Sequence, residues 1–334
     1  ELLPDFDVYI AKDGQTYRYL ANNSNFESYL KIVKVDAETG NPIPYAGAGF
    51  QIYRPDGSLV TQTFTYPEIT TIDTFYTTAE GFLITAEPLE YGTGYSLVEV
   101  AAPYGYVLDS DPVYFDITQD NSTEESAVTV VKVIMEDMPQ KGVIKVSKTG
   151  EVFASVTESD GVYQPVYEVK GLPGAVYEIT AVEDIYTPDG TLRYAAGEVV
   201  DTITTDETGS AQTKPLYLGK YEIHEITAPY GMTLNPDPVS VELTYAGQEV
   251  EITESAASFY NERQRVQLAL SKVMEKDETF GIGDNGEILS VQFGLFAAED
   301  LTAADGSVIP KDGLIEIVNC DENGSAVFRT DLPV

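Results

Sequence analysis

Apolar and polar residues alternate with a period of two along most of this chain. The runs are short and end in Asp-Gly, Asn-Gly or Pro turns, the pattern of half-buried β-strands. From Tyr29, Leu30, Ile32 and Lys34 share one face of a predicted strand, Lys31, Val33 and Val35 take the other, and 36–40 form a turn. Phe50 and Ile52 begin a strand that stops at Arg54-Pro-Asp-Gly57. After a turn at Glu80-Gly81, Tyr95, Leu97 and Glu99 share a face, and the run ends in Ala102-Pro-Tyr-Gly105. Residues 113–117 form a further strand. The next places Val131, Val133, Met135 and Asp137 on one face before Pro139 ends it.

The same order then repeats. Ile144, Val146 and Lys148 open a second copy, and Tyr177 and Ile179 match Phe50 and Ile52. Asp206-Glu-Thr-Gly209 precedes the run Tyr221, Ile223, Glu225, which ends in Ala228-Pro-Tyr-Gly231; Ala257, Phe259 and Asn261 close the copy. A third opens with Leu268, Leu270 and Lys272, continues through Phe293, Leu295 and Asp321-Glu-Asn-Gly324, and is predicted to stop short of its own glutamate. The opening lysines recur at spacings of 114 and 124 residues, which is domain-sized and too long for a solenoid. The expected fold is all-β, with tandem Ig-like β-sandwich domains. Residues 27–140 and 141–265 are the complete domains and 266–334 a truncated one. Residues 1–26 are an N-terminal extension or the end of a preceding domain, with a hairpin signal at Asp13-Gly14. Connections at 138–142 and 262–265 are short enough to predict a stiff rod.

Composition narrows the function. With 55 acidic against 19 basic residues, the net charge of −36 opposes binding to nucleic-acid phosphates and to anionic membranes. One histidine, His224, and one cysteine, Cys320, exclude an internal disulfide and a histidine-rich or cysteine-rich metal site. No apolar run is long enough to span a bilayer and no signal peptide stands at Glu1, so the chain reads as a mature or excised piece.

The candidate chemistry lies in polar residues at inward positions: Lys34, Glu99 and Asp137 in the first repeat, and Lys148, Glu225 and Asn261 in the second. They could meet if the first and last strands of each repeat pair. Burial lowers a lysine pKa and raises that of a carboxyl group, giving a neutral amine nucleophile and a glutamic acid able to move protons. The product would be a Lys–Asp or Lys–Asn amide, formed once per molecule by proximity and without a cofactor or metal. Lys272 has no visible partners. Plainer readings remain open: a lysine at the end of an apolar stripe can snorkel to solvent, and Glu99 and Glu225 can form simple buried ion pairs.

These residues resemble the CnaB-type, SpaA-like (prealbumin-like) domains of Gram-positive surface proteins and pilins. The matching motifs are Lys34-Val-Asp, Glu99-Val-Ala-Ala-Pro-Tyr-Gly-Tyr106 and Asp137-Met-Pro139, then Lys148-Thr, Glu225-Ile-Thr-Ala-Pro-Tyr-Gly231 and Asn261-Glu-Arg. The resemblance covers about residues 27–334. It implies prealbumin-like sandwiches with spontaneous Lys–Asp/Asn isopeptide bonds assisted by Glu99 and Glu225. It also implies an extracellular, cell-wall-anchored location. Two positions depart from the pattern: Asp137 stands where Asn is commoner, and Met232 replaces the Tyr that usually follows the Gly.

The expected role is a structural stalk or shaft segment of a surface fibre, pilus or adhesin, with other subunits or domains of the same fibre as partners. The expected activity is self-modification only, not enzymatic turnover. The alternative is an adhesin module that binds a host matrix protein or glycan. In that reading the insertion at 61–78 would offer Tyr66, Phe75 and Tyr76 as contact residues.

Overall fold

A computed structural model describes residues 9, 11–14, 16, 26–125, 128–277, 279–281, 283 and 285–333. The hairpin predicted around Asp13-Gly14 lies largely outside the described residues. The architecture is almost wholly β, and among the described residues the helical content is one short 3-10 turn, Glu287–Ser290. The chain divides into two compact units. Unit 1 holds 1–140 with Tyr186–Arg193 and Tyr245–Glu251; unit 2 holds Lys141–Ile185, Tyr194–Thr244 and Ile252–Val334.

In unit 1 the alternation of the opening strand, Glu27–Asp36, becomes an alternation of burial, with Leu30, Ile32 and Lys34 facing inward. This strand pairs in parallel with the closing strand, Val128–Asp137, so that Lys34 stands opposite Met135. On its other edge it pairs antiparallel with Phe82–Ile84 and Leu89–Glu90. A second sheet orders Phe75–Tyr76, Gly49–Tyr53, the glutamate-bearing strand Gly92–Ala101 and Val113–Ile117. The core between the sheets is Leu30, Ile32, Phe50, Ile52, Leu97, Ile117, Val131 and Met135 with their neighbours. Phe75 belongs to this core, which corrects its expected role as a surface contact; Tyr66 and Tyr76 are exposed, at 88% and 58%. The phenyl ring follows the period of two, and its strand pairs with Gly49–Tyr53, so Phe50 and Phe75 lie opposite one another.

Unit 2 repeats the plan. The strand Lys141–Ser159 pairs in parallel with the closing strand Ile252–Asn261, from Lys141 opposite Ile252 to Gly150 opposite Asn261. The facing sheet orders Val199–Thr204, Val176–Ala181, the glutamate-bearing strand Gly219–Thr227 and Val239–Leu243. The opening strand is 19 residues long and continues well past Lys148. Its second half folds back on Val162–Gly171 in a hairpin with a bulge between Phe153 and Ser155. That hairpin supplies Phe153, Val156 and Tyr163 to a small core with Ala297, Ile309 and Ile315 from the third repeat. Third-repeat strands Leu314–Asn319 and Gln292–Phe296 extend the sheet through Val162 opposite Leu314. Among the described residues no helix is long and apolar enough to cross a membrane, and no group of His, Cys, Asp and Glu is placed to hold a metal ion.

Candidate functional site

Parallel pairing of first and last strands is what assembles each polar trio. Because Lys34 is opposite Met135, Asp137 lies two residues further along the same inward face. Glu99 comes from the opposing sheet, where it pairs across from Phe50. Lys34 Nζ lies 2.5 Å from Asp137 Oδ1 and 2.8 Å from Glu99 Oε1. All three residues are at most 1% exposed. The Phe50 ring covers the amine, with its centroid 5.7 Å from Nζ. Among the described residues, Glu99 accepts no well-formed hydrogen bond beyond the lysine ion contact, and Asp137 Oδ2 accepts none.

That setting governs the proton chemistry. Burial pushes the Glu99 carboxyl up to about 8, opposed by the Lys34 charge and reinforced by Asp137. Burial also raises Asp137, with Lys34 pulling the other way. Two carboxyl groups share one buried cation, so at neutral pH Glu99 keeps its proton.

The second trio has the same frame with different acceptor chemistry. Lys148 is opposite Phe259, again two residues short of its partner Asn261, and Glu225 pairs across from Tyr177. Lys148 Nζ lies 2.7 Å from Glu225 Oε1 and donates to Asn261 Oδ1. Asn261 Nδ2 donates to both Glu225 oxygens at 2.9 and 3.0 Å, and the Asn235 backbone N–H donates to Oε2 at 2.9 Å. Tyr177 and Phe259 flank the amine, with ring centroids 5.8 and 5.9 Å from Nζ. Burial lowers the Lys148 pKa, which Glu225 partly restores.

The three lysines share one further detail. The backbone N–H groups of Lys34, Lys148 and Lys272 each donate to the carbonyl of a positive-φ glycine: Gly81, Gly209 and Gly324. Lys272 therefore begins its repeat as the others do, but its side chain is exposed and makes no ion pair among the described residues. The strand before it, Ala269–Ser271, pairs among the described residues with Ser325–Val327 alone. His224 is half-exposed on the outward face beside Glu222, at 3.3 Å, and Cys320 is a buried free thiol.

Sequence reasoning missed two polar clusters beside the trios. In unit 1, Asp36 is fully buried and accepts from Tyr106 Oη at 3.0 Å, Arg193 Nη2 at 2.9 Å and the N–H groups of Glu38 and Thr39. In unit 2, Arg263 lies over the Tyr167 ring at 3.7 Å and donates to Asp331. A signal for the first was present. Asp36 and Tyr106 correspond to Gly150 and Met232, so both members of the pair change together between repeats.

The two sheets, their strand order and the recurrence of the plan define tandem prealbumin-like β-sandwiches. The SpaA prealbumin-like fold domain matches residues 28–132 and 166–256, more than half of the chain, and the chain belongs to that family. The matched segments contain Lys34, Glu99 and Glu225 but not Lys148, Asp137 or Asn261. Among solved structures, the chain is similar to the Bacillus anthracis TIE protein, at 20% identity and a TM-score of 0.53 over 92% of this chain. It spans 44% of that protein's chain. A Streptococcal ancillary pilin matches at 19% identity and a TM-score of 0.26, covering 72% of this chain and 64% of that one. The C-terminal fragment of pilus adhesin SpaC from Lactobacillus rhamnosus GG matches at 14% identity and a TM-score of 0.32, covering 73% and 99%. No curated protein matches the chain.

Proposed function

We propose that this chain is a structural stalk segment of a Gram-positive surface fibre, pilus or adhesin, in which each unit locks itself with a Lys–Asp or Lys–Asn isopeptide bond. The observation that carries the reading is the double occurrence of a fully buried lysine amine in contact with both a glutamate and a side-chain acyl acceptor. An ion pair alone is a poor reason for such burial, because desolvating the charges offsets most of their attraction. Proximity of amine and acyl carbon is instead what a single-turnover condensation requires. In unit 1, Lys34 Nζ bonds to Asp137 Cγ and an Asp137 oxygen leaves as water. In unit 2, Lys148 Nζ bonds to Asn261 Cγ and Nδ2 leaves as ammonia. The chain acts on itself and turns over no external substrate. Its partners are other subunits or domains of the same fibre, and it works outside the cell, anchored to the wall.

Intact mass of the purified chain tests this. The expected deficit is one water plus one ammonia. Lys34→Ala restores the water and Lys148→Ala restores the ammonia. Full calculated mass in the unsubstituted chain overturns the reading and leaves two buried ion-pair clusters.

A further inference from the structure

Tyr177 is a difference between the trios that the acceptor chemistry does not by itself explain. It occupies the position of Phe50: each aromatic pairs across from its repeat's glutamate, and each ring covers the lysine amine at nearly the same distance. What unit 2 adds is a hydroxyl. That hydroxyl is buried, faces Glu225 without a fully formed hydrogen bond, and belongs to a side chain with no exposed surface. A buried donor left unmatched costs stability, whereas Phe would fill the same space without that cost, as it does in unit 1.

The surroundings of the two glutamates point to a use for it. Glu99 serves an acid acceptor and, among the described residues, takes no well-formed hydrogen bond beyond its lysine contact. Glu225 serves an amide acceptor and is engaged on both oxygens by Lys148, Asn261 and the Asn235 N–H. Both condensations carry one hydrogen from Nζ to the departing atom. An amide nitrogen is a poorer leaving group than the hydroxyl of an acid, so amide exchange depends more on the glutamate that delivers the hydrogen. A hydrogen lost from Nζ must be delivered to Nδ2 before that nitrogen can leave as ammonia. The glutamate must therefore face the amine and the leaving nitrogen in turn.

We propose that Tyr177 is a positioning residue for this step: its hydroxyl donates to Glu225 as the carboxylate turns between Lys148 and Asn261, holding it in line with both. The Nζ–Cγ bond forms, the Cγ–Nδ2 bond breaks, and the hydrogen from Nζ ends on the departing ammonia. The titratable groups facing the hydroxyl are Glu225 from its own sheet and Lys148 from the opposite sheet; Asn261 completes the pocket. This proposal rests on the self-linking reading of unit 2.

The test follows the full chain as it refolds from denatured inclusion bodies, with time-resolved intact mass separating ammonia loss from water loss. Tyr177→Phe is expected to slow ammonia loss about tenfold, the scale of one buried hydrogen bond, while water loss in unit 1 keeps its rate. The variant's folding, followed by circular dichroism, is expected to be unchanged, since Phe already fits the matching position of unit 1. Its pH–rate profile for ammonia loss is expected to be displaced, which a packing change alone would not do. Equal rates and superimposable profiles in the two proteins overturn the role of Tyr177 and leave the linkage standing. Absence of ammonia loss from the unsubstituted chain overturns the linkage itself, and the role of Tyr177 with it.

Discussion

Glu99 and Glu225 occupy matching strand positions but face different partners, because one shares its cation with a second acid and the other with an amide. A carboxyl that holds its proton up to about 8 is an acid below that pH and a base above it. If Glu99 donates its proton as the Asp137 oxygen departs, the rate of water loss during refolding is high below about pH 8 and falls by up to about tenfold per unit above it. Intact mass sampled during refolding on either side of that pH checks this, and a rate that keeps rising through pH 9 or so excludes Glu99 as the proton donor. The trio itself was legible in the sequence, since Lys34, Glu99 and Asp137 each close an apolar stripe where a charge has no cheap place. Asp36 was not legible in the same way. It stands next to a turn, where an aspartate is ordinary, and its partner Arg193 is 157 residues away. The replacement of Tyr106 by Met232 also finds its reason here. With Gly150 where Asp36 stands in unit 1 there is no acid for a tyrosine hydroxyl to serve, and a Cβ at Gly150 would lie 3.5 Å from the Met232 sulfur.

At the scale of elements, the glycine turns dock each lysine strand at a fixed height. Gly209 adopts φ +79° and returns its carbonyl to the Lys148 N–H at 2.7 Å; a Cβ there would meet the Lys148 carbonyl at 2.3 Å. Gly161, at the tip of the hairpin in the same unit, has the same φ of +79° with open space around it. Alanine at Gly161 is therefore expected to cost only the left-handed backbone term, about 1–2 kcal/mol. Alanine at Gly209 adds a backbone clash and should cost about 2–4 kcal/mol, measured as the urea midpoint of unit 2. Equal losses would mean that the strand shifts freely and that the turn does not set the height of the lysine. The opening, glutamate-bearing and closing strands were readable because their inward faces repeat in order. The hairpin through 150–171 was not, because repeat comparison follows what recurs, and this extension of the opening strand has no counterpart after Lys34. Parallel pairing was likewise beyond the sequence pattern, since alternation assigns faces but not the partner of an edge.

For the whole molecule, the linkages would take the place of disulfides that a chain with a single cysteine cannot form. They would join residues 103 and 113 positions apart in sequence. A crosslink closing a loop of about 100 residues lowers unfolded-chain entropy by an amount worth about 4–5 kcal/mol at 25 °C. In units of this size that corresponds to a melting-temperature increase of roughly 10–20 °C, so Lys34→Ala and Lys148→Ala should each lower the transition of one unit by about that much, or by more where the remaining acids lose their cation. Force separates the covalent contribution from simple packing. The opening strand of unit 1 begins at Glu27, its parallel partner ends at Asp137, and tension applied at those two ends shears the ladder between them. With Lys34 bonded to Asp137, the load passes across the amide within a few residues of entering, and the chain between them stays folded. Lys34→Ala removes that bypass, and stretching a single molecule should then release roughly 350 Å of additional contour from unit 1. The same release from the unsubstituted protein would mean that the ladder holds by hydrogen bonds alone, which excludes a covalent stalk whatever its thermal stability.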